Sequence, residues 1–205
     1  MVAMIGANAS PAVMAEELAE RGFVAVEGFA PPDLVRRLAA ESDRLLAAGL
    51  LRPAKVGKGE QRRLDRRVRG DLIRWFDPAE PSPPQLELLE RVEQLRLALN
   101  QRLFLGLFDF EACHARYPVA SFYRRHRDRF ARSGRRIMTL VTYLNADWRE
   151  GDGGELRIHL PEGGTFDIAP RGGRAVLFFS DRFPHEVLPT RRERLGIAGW
   201  FRGRP

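Results

Sequence analysis

Two side chains in the C-terminal half of the chain could together bind a metal ion. His126 and Asp128 are separated by a single residue, Arg127. On a β-strand, residues i and i+2 point to the same face, so the imidazole and the carboxylate would converge on one point while Arg127 faces away. A histidine and a carboxylate placed in this way supply two adjacent metal ligands. The spacing alone is a weak signal, because a charged strand contains it by chance.

A third candidate ligand, His185, follows 57 residues after Asp128 and comes shortly after the apolar run RAVLFF. If strand pairing brings it beside His126, two histidines and one carboxylate occupy one face of an octahedron. The opposite three positions then stay open for substrate and O2, which is the arrangement of non-heme Fe(II) oxygenases. The three residues therefore predict a catalytic iron site.

Arg194, nine residues after His185, could bind a carboxylate. It stands directly before LGIAGWF, which has the pattern of a buried strand. A guanidinium inside a barrel can form a bidentate ion pair with a carboxylate. The alternative is an ordinary surface charge in the run RRER, and the buried strand that follows argues against it.

The elements that must position these residues fall into two parts. In the N-terminal part we predict three helices and one strand, with the strand over Phe23–Phe29. The helices run from Pro11 to Arg21, from Pro31 to Gly49, and onward from Pro83. The third helix carries an apolar stripe of core-facing residues: Leu86, Leu89, Val92, Leu95 and Leu99.

From Cys113 onward the sequence reads as short strands separated by the turn sequences GDGG, PEGG and PRGG. The predicted strands are Ile137–Leu144, Glu155–Leu160, Thr165–Ile168, Arg174–Phe179 and Leu195–Phe201. Several short strands at regular spacing predict a sandwich or barrel rather than a parallel sheet. The expected fold class is α+β, with helices first and an antiparallel β-core after them.

The segment Arg52–Pro81 is polar, charged and marked by glycine and proline. It is too long for a routine connection, and loops of this length are usually functional or disordered. We predict a loop that contacts the substrate.

Composition narrows the classes of protein that need to be considered. No run of 18 apolar residues is present, the start has no basic n-region, and Cys113 is the lone cysteine, so the expected compartment is the cytoplasm. The net charge of +7 raises the question of nucleic acid. Lysine occurs only at Lys55 and Lys58, so nearly all basicity is arginine. We interpret this as a basic surface suited to acidic partners, with no specific nucleic acid and no membrane partner.

The motifs TYLNADW, GGELRI and LFFSDRFPHEV, followed by Arg194 and GWF, resemble the catalytic core of the prolyl 4-hydroxylases. The likeness is greatest to the hypoxia-inducible-factor prolyl hydroxylases and to their bacterial relatives that act on elongation factor Tu. It covers Cys113–Arg202 closely and Arg69–Trp75 more loosely. It implies a double-stranded β-helix (jelly-roll) core with N-terminal helices packed on it. The expected organisation is one oxygenase domain over 1–205, with helical support and the substrate loop 52–81 in 1–110, and the catalytic β-core in 111–205.

The resemblance also implies roles for individual residues. His126, Asp128 and His185 match the iron ligands of the family. Arg194, counted with them as catalytic, matches the arginine that binds the 5-carboxylate of 2-oxoglutarate, and Tyr143 matches the tyrosine that assists it. The implied cofactors are Fe(II), 2-oxoglutarate as cosubstrate and O2, with ascorbate as a reductant.

Further positions match the rest of the family's pocket. Tyr117 resembles the tyrosine at the inner edge of the cosubstrate site, and Trp200 matches the tryptophan of the last strand. Ala198 is a departure from the family, because its animal members carry threonine beside the cosubstrate. Four residues are implied on the substrate side: Arg69, Asp71, Trp75 and Tyr123.

The activity implied is hydroxylation of a prolyl residue of a protein at carbon 4, with release of succinate and CO2. Elongation factor Tu is the substrate that the bacterial relatives suggest. Three alternatives stay open: a hydroxylase of a free amino acid or natural product, a nucleic-acid demethylase with the same iron site, and a binding protein without activity. A demethylase should carry an aromatic base-flipping lid, and a peptide hydroxylase needs a long clamping loop.

Overall fold

The computed structural model describes residues 4–7, 9–57, 63–128 and 135–204. Within these ranges the chain forms three helices: α1 (Pro11–Arg21), α2 (Pro32–Ala47) and α3 (Pro83–Leu103). α1 begins and ends where the sequence predicts. The Ser10 hydroxyl accepts a hydrogen bond from the Val13 N–H, and Gly22, at a φ of 78°, donates its N–H to the carbonyl oxygen of Leu18.

The predicted apolar stripe on α3 is wrong at its first two positions, Leu86 and Leu89. The buried leucines and valine are Leu88, Val92, Leu95 and Leu99. Leu86 is 47% exposed, and Leu89 is only half-buried. The start of the helix sets its rotation, because the buried Gln85 amide donates a 2.7 Å hydrogen bond to the Glu41 carboxylate of α2.

Twelve strands occur in the described residues. They are β1 (Met4–Ile5), β2 (Phe23–Val26), β3 (Arg52–Pro53), β4 (Leu72–Trp75), β5 (Asp109–Tyr117), β6 (Tyr123–His126), β7 (Arg136–Tyr143), β8 (Leu156–His159), β9 (Thr165–Ile168), β10 (Ala175–Phe179), β11 (His185–Val187) and β12 (Arg194–Arg202). The major sheet has the order β1-β2-β10-β7-β12-β5-β4-β3, and the minor sheet has the order β6-β11-β8-β9. All pairings are antiparallel except that of β1 with β2. The predicted α+β class and the five predicted C-terminal strands are confirmed, with no boundary shifted by more than one residue.

Two apolar clusters hold the layers together. The helices pack on one face of the major sheet through residues such as Leu38, Leu95 and Leu177. The other face meets the minor sheet, and residues such as Phe178 and Ile158 fill the space between them. β2 is therefore buried on both sides, because it lies between the helices and the minor sheet. Within the described ranges, no helix combines the length and apolar character that crossing a membrane requires.

The prediction of a continuous loop over Arg52–Pro81 is wrong for two of its parts. β4 pairs with β5, and β3 pairs with β4, so both extend the major sheet at its edge. The β-forming residues Leu72–Trp75 find backbone partners on β5. The sequence-based prediction gives no residue limits for this strand. Lys55, Val56, Gly57 and Val68 of the connection between β3 and β4 line the cavity of the site. Residues 58–62 of that connection are outside the described ranges.

Replacing Phe201 should destabilise the fold, because its ring is fully buried and packs 4.8 Å from the Phe110 ring, centroid to centroid. We expect Phe201→Ala to lower the free energy of unfolding by about 3–5 kcal/mol. Phe104 is the matched control, since it is 89% exposed, and Phe104→Ala should change that free energy by less than about 0.5 kcal/mol. Urea titrations measure both, and equal losses would contradict the core assignment.

Candidate active site

The structure brings His126, Asp128 and His185 together between the two sheets. β6 ends at His126, and the pairing of β6 with β11 places His185 directly opposite it. The Nε2 atoms of the two histidines lie 3.5 Å from Oδ1 and 3.5 Å from Oδ2 of Asp128, respectively. One ligand atom from each residue fits within 4.8 Å of the others. Two imidazole nitrogens and a carboxylate thus face one point, as a facial metal site requires.

Backbone contacts fix which nitrogen of each histidine faces that point. Nδ1 of His126 lies 2.8 Å from the carbonyl oxygen of Arg124, and Nδ1 of His185 lies 3.1 Å from that of Phe183. A carbonyl can only accept, so each Nδ1 carries the hydrogen and each Nε2 keeps its lone pair. Metal-binding histidines are typically oriented by such a bond from the second nitrogen. The donor set therefore fits a divalent transition metal.

Charge states at the site also favour metal binding. Burial by itself would raise the pKa of Asp128, but the imidazoles of His185 and His126 outweigh it and hold that pKa well below its ordinary value. Burial lowers the pKa of His185 to about 4, with His126 acting in the same direction and Asp128 against it. Near neutral pH, Asp128 is an anion and His185 is neutral, which are the forms that bind metals.

Two buried hydroxyls behind Asp128 were missed in the sequence analysis. The Thr139 hydroxyl donates a 2.8 Å hydrogen bond to Oδ2 of Asp128 and lies 2.9 Å from the Ser180 hydroxyl. Both residues are buried. Thr139 shares the inward face of β7 with Val141, and a threonine at an inward position of an apolar strand is the signal that could have identified it. Such a partner fixes the orientation of a ligating carboxylate.

Arg194 stands at the start of β12, with only 2% of its surface exposed. Its Nε donates a 2.8 Å hydrogen bond to the carbonyl oxygen of Gly154, and the centre of its guanidinium lies 4.8 and 5.1 Å from the ring centroids of Tyr117 and Tyr143. Gly154 has a φ of 68°, and a Cβ there would lie 3.1 Å from Cδ of Arg194. Glycine is thus needed both for the backbone turn and for the close approach of the arginine.

The Tyr143 hydroxyl is buried and has no hydrogen-bond partner among the described residues. Burial raises the pKa of Tyr143, with the Arg194 charge acting against it. An unpaired buried hydroxyl costs roughly 1–3 kcal/mol, so a polar ligand atom is expected to complete it. The hydroxyl and the guanidinium together suit a ligand carboxylate.

Tyr117 and Trp200 enclose the same pocket from β5 and β12. Tyr117 lies opposite Arg194 in the strand register, and burial raises the pKa of its hydroxyl. The Trp200 Nε1 is buried, and its N–H contributes to holding the pKa of Asp128 below its ordinary value. The Arg136 guanidinium lies 3.6 Å from the centroid of the Trp200 ring. Ala198 lines the cavity beside them and leaves no hydroxyl there.

On the substrate side, a row of contacts leads from a buried ion pair to a candidate ligand. Arg69 forms a two-pronged ion pair with Asp71, at 2.7 and 2.5 Å. The centre of its guanidinium lies 4.1 Å from the Tyr123 ring centroid. The Tyr123 ring stacks on His126 with centroids 3.5 Å apart. Arg69 and Asp71 are thus engaged with each other, and their predicted substrate role stays a prediction.

Trp75 lies where the cavity meets solvent, with 38% of its surface exposed. Its ring is tilted against Trp200, with the centroids 5.7 Å apart. The cavity has a volume of about 740 Å³ and is lined by His126, Asp128, His185 and Arg194 as well as by Trp75. It is large enough for a small cosubstrate and one side chain of a second substrate.

Comparison with known proteins agrees with this geometry. The family model "2OG-Fe(II) oxygenase superfamily" matches residues 113–202. A crystal structure of a prolyl-4-hydroxylase from Pseudomonas putida is 46% identical, covers 95% of this chain and 100% of its own, and superimposes with a TM-score of 0.86. A prolyl hydroxylase from Trichoplax adhaerens, in complex with a peptide of the hypoxia-inducible-factor oxygen degradation domain, is 27% identical over 94% of this chain and 88% of its own, with a TM-score of 0.84.

Two curated relatives extend the comparison. The "Prolyl hydroxylase EGLN3" of Homo sapiens is 32% identical over 90% of this chain and 80% of its own length. The "Hypoxia-inducible factor prolyl hydroxylase" of Caenorhabditis elegans is 31% identical over 90% of this chain, yet the match spans only 27% of that longer protein. The site, the fold and these relatives together show that the chain belongs to the prolyl hydroxylase family of the 2-oxoglutarate- and Fe(II)-dependent oxygenase superfamily.

Proposed function

We propose that this protein hydroxylates a prolyl residue of a protein substrate at carbon 4, using Fe(II), 2-oxoglutarate and O2. The observation that carries the proposal is the single cavity in which the His126, Asp128 and His185 ligand atoms and the Arg194 guanidinium face the same space. The 46% identity to a prolyl-4-hydroxylase over that protein's whole chain supports the same reaction.

The two facing sheets support a double-stranded β-helix as the frame of this site, because the apolar cluster between them includes residues of both. We further propose that residues 1–205 act as one oxygenase domain. The part up to residue 110 supplies α1, α2 and α3 as support, and the part from 111 onward supplies the catalytic strands.

His126, Asp128 and His185 would hold the iron. When bound, iron and 2-oxoglutarate supply the oxidising power: with O2, the cosubstrate yields succinate and CO2, and one oxygen atom enters the substrate. Thr139 holds the carboxylate of Asp128 by its 2.8 Å hydrogen bond. Tyr123 stacks on the His126 ring and limits its rotation. These residues act by orientation: they keep the imidazole nitrogens and the carboxylate facing the cavity, where a bound metal would meet the cosubstrate and substrate.

Arg194 and Tyr143 would bind the far carboxylate of 2-oxoglutarate. The guanidinium is already held by the carbonyl oxygen of Gly154 through Nε, which leaves its terminal nitrogens for the ligand. The Tyr143 hydroxyl gains the partner that it lacks in the described residues. Tyr117 closes one side of the pocket and Trp200 another, and both exclude water from it.

For the protein substrate, the apolar faces of Trp75 and Tyr123 suit the ring of a proline at the mouth of the cavity. Elongation factor Tu is the first protein to test, because this chain resembles the bacterial enzymes that act on it. The cytoplasm as compartment and ascorbate as reductant both stay predictions.

The first test of the site is metal binding. We expect Asp128→Ala to abolish turnover and weaken Mn(II) binding, because the anionic ligand is lost. Thr139→Val should weaken Mn(II) binding by about 10- to 100-fold, as loss of a carboxylate's orienting partner typically does. Calorimetric titration under anaerobic conditions measures both. Asp167→Ala is the control, since Asp167 is a partly exposed carboxylate on β9, paired with Arg157. Unchanged Mn(II) affinity in Asp128→Ala would refute the ligand assignment.

The second test is cosubstrate binding. Arg194→Ala leaves a ligand carboxylate without its cation, so 2-oxoglutarate affinity should fall by about 2–5 kcal/mol. Tyr143→Phe removes one hydrogen bond and should cost about 1 kcal/mol. Arg192→Ala is the matched control, because Arg192 is two residues away but half-exposed and paired with Asp152. If Arg194→Ala binds 2-oxoglutarate as the unchanged protein does, another basic residue holds the carboxylate.

The third test is the reaction itself. Incubation with Fe(II), 2-oxoglutarate and proline-containing substrates, elongation factor Tu among them, should add one oxygen to a proline, mapped by mass-spectrometric fragmentation. Succinate should appear in equal amount, and Asp128→Ala should give neither product. Much faster turnover of a free amino acid, a natural product or an alkylated base would replace the proposed substrate with that class.

A further inference from the structure

The charged side chains around the cavity are unequally divided between the two signs. Seven basic side chains line it: Lys55, Arg69, Arg127, Arg135, Arg136, Arg194 and Arg202. The acidic side chains are Asp71, Glu111 and Asp128. Because Fe(II) and the doubly charged 2-oxoglutarate cancel each other, the loaded site keeps the same excess of positive charge.

Most of these cations already have a partner. Arg69 is paired with Asp71, and Arg136 bonds to Glu111 at 2.8 Å. Arg202 bonds to Glu111 and also to Asp109, and Arg135 bonds to the carbonyl oxygen of Gly203. The guanidinium of Arg194 is assigned above to the cosubstrate.

Lys55 and Arg127 are the exceptions. Both are exposed, and neither has a carboxylate within 4 Å among the residues that the structure describes. The backbone on either side of Lys55 is nevertheless held by hydrogen bonds. Lys55 stands between Ala54, whose N–H donates to the carbonyl oxygen of Asp71, and Val56, which exchanges two 2.9 Å hydrogen bonds with Arg63. Arg127 stands between two of the proposed metal ligands and is one of the residues that line the cavity. β6 ends at His126, so the strand alternation that predicts Arg127 to face away does not extend to it.

We infer that this rim, made of Lys55 and Arg127, selects protein substrates that carry acidic residues next to the target proline. The inference rests on the proposed function, since it names the class of substrate for the same site. Unpaired cations that are exposed in the free protein attract carboxylates of a partner and mainly raise the rate and specificity of association. The apolar Trp75 and Val56, which line the same cavity, suit the proline side chain and its apolar neighbours.

A phosphate backbone is the other polyanion that could meet this charge. A phosphate track needs a row of several cations, because its affinity accumulates over many contacts. Around the cavity, five of the seven cations are engaged, and two remain. A short acidic peptide segment, by contrast, needs no more than the two available cations that line the cavity.

The test compares peptides that differ only in the residues flanking one proline: glutamate, glutamine or lysine. With unchanged protein we expect kcat/KM for the glutamate peptide to exceed that for the glutamine peptide by about 5- to 10-fold at low salt. The lysine peptide should be slowest. The glutamate preference should shrink at 0.5 M NaCl, because salt screens exposed charges.

Charge reversal locates the effect. Lys55→Glu and Arg127→Glu should each reduce the ratio of glutamate to glutamine peptide to about 2 or less, and each should speed the lysine peptide. Arg171→Glu is the control, because Arg171 is exposed and outside the cavity lining, so the ratio should not change. Arg127→Lys keeps the charge and should keep the preference, which separates an electrostatic effect from damage to the neighbouring ligands.

The outcomes are distinguishable. Equal rates for all three peptides would overturn the rim inference and leave prolyl hydroxylation intact. Absence of hydroxylation in every peptide and in the candidate proteins would overturn the proposed function instead. If single-stranded RNA or DNA competes with the glutamate peptide at micromolar concentration and the Lys55→Glu change abolishes this competition, the rim is a nucleic-acid contact and the inference is wrong.

Discussion

The antiparallel pairing of His126 with His185 is the contact on which the rest of the site depends. It brings two strands that are far apart in the sequence to one end of the minor sheet, with both Nε2 atoms facing Asp128. A shift of one residue would turn one histidine to the opposite face. The backbone carbonyls of Arg124 and Phe183 then fix the two rings, so the register sets both position and tautomer.

The major sheet beside this pairing has two chemically different faces. One face packs against α1, α2 and α3 through apolar side chains, and the other carries the polar residues of the site. Thr139 and Tyr143 lie on the site face of β7, and Arg194 begins β12 beside them. Apolar packing against the helices on one face stabilises the fold. It thus offsets the free-energy cost of the polar groups buried at the other face: a guanidinium, an unpaired hydroxyl and a carboxylate.

The charged residues around the cavity divide into those that are held in ion pairs and those that are available to a partner. Arg69 and Asp71 form a buried ion pair that supports Tyr123, and Arg136 is held between Glu111 and Trp200. Such pairs order the site and leave little charge for a partner. Among the described cations that line the cavity, Lys55 and Arg127 are exposed and lack a carboxylate within 4 Å, whereas Arg194 is buried and bonded to the carbonyl oxygen of Gly154. Although the net charge of the chain is high, the positive charge that is available to a partner at the mouth of the cavity is therefore small and local.

Much of this was readable from the sequence, because it depends on local chemistry. Proline, serine and glycine mark the ends of α1, alternation and turn residues mark the C-terminal strands, and the spacing of His126, Asp128, His185 and Arg194 indicates the chemistry. Tertiary structure decided what depends on pairing between distant segments. β4 joined the major sheet because β5 supplied its backbone partners, and β3 forms the edge beyond it. The hydrogen bond from Gln85 to Glu41 accompanies the rotation of α3 that leaves Leu86 exposed. Thr139 lies behind Asp128 only because the fold brings β7 next to the end of β6. Local sequence fixes the conformation that a segment prefers, but the partner across a sheet is set by the whole chain, and so are the contacts that orient each ligand.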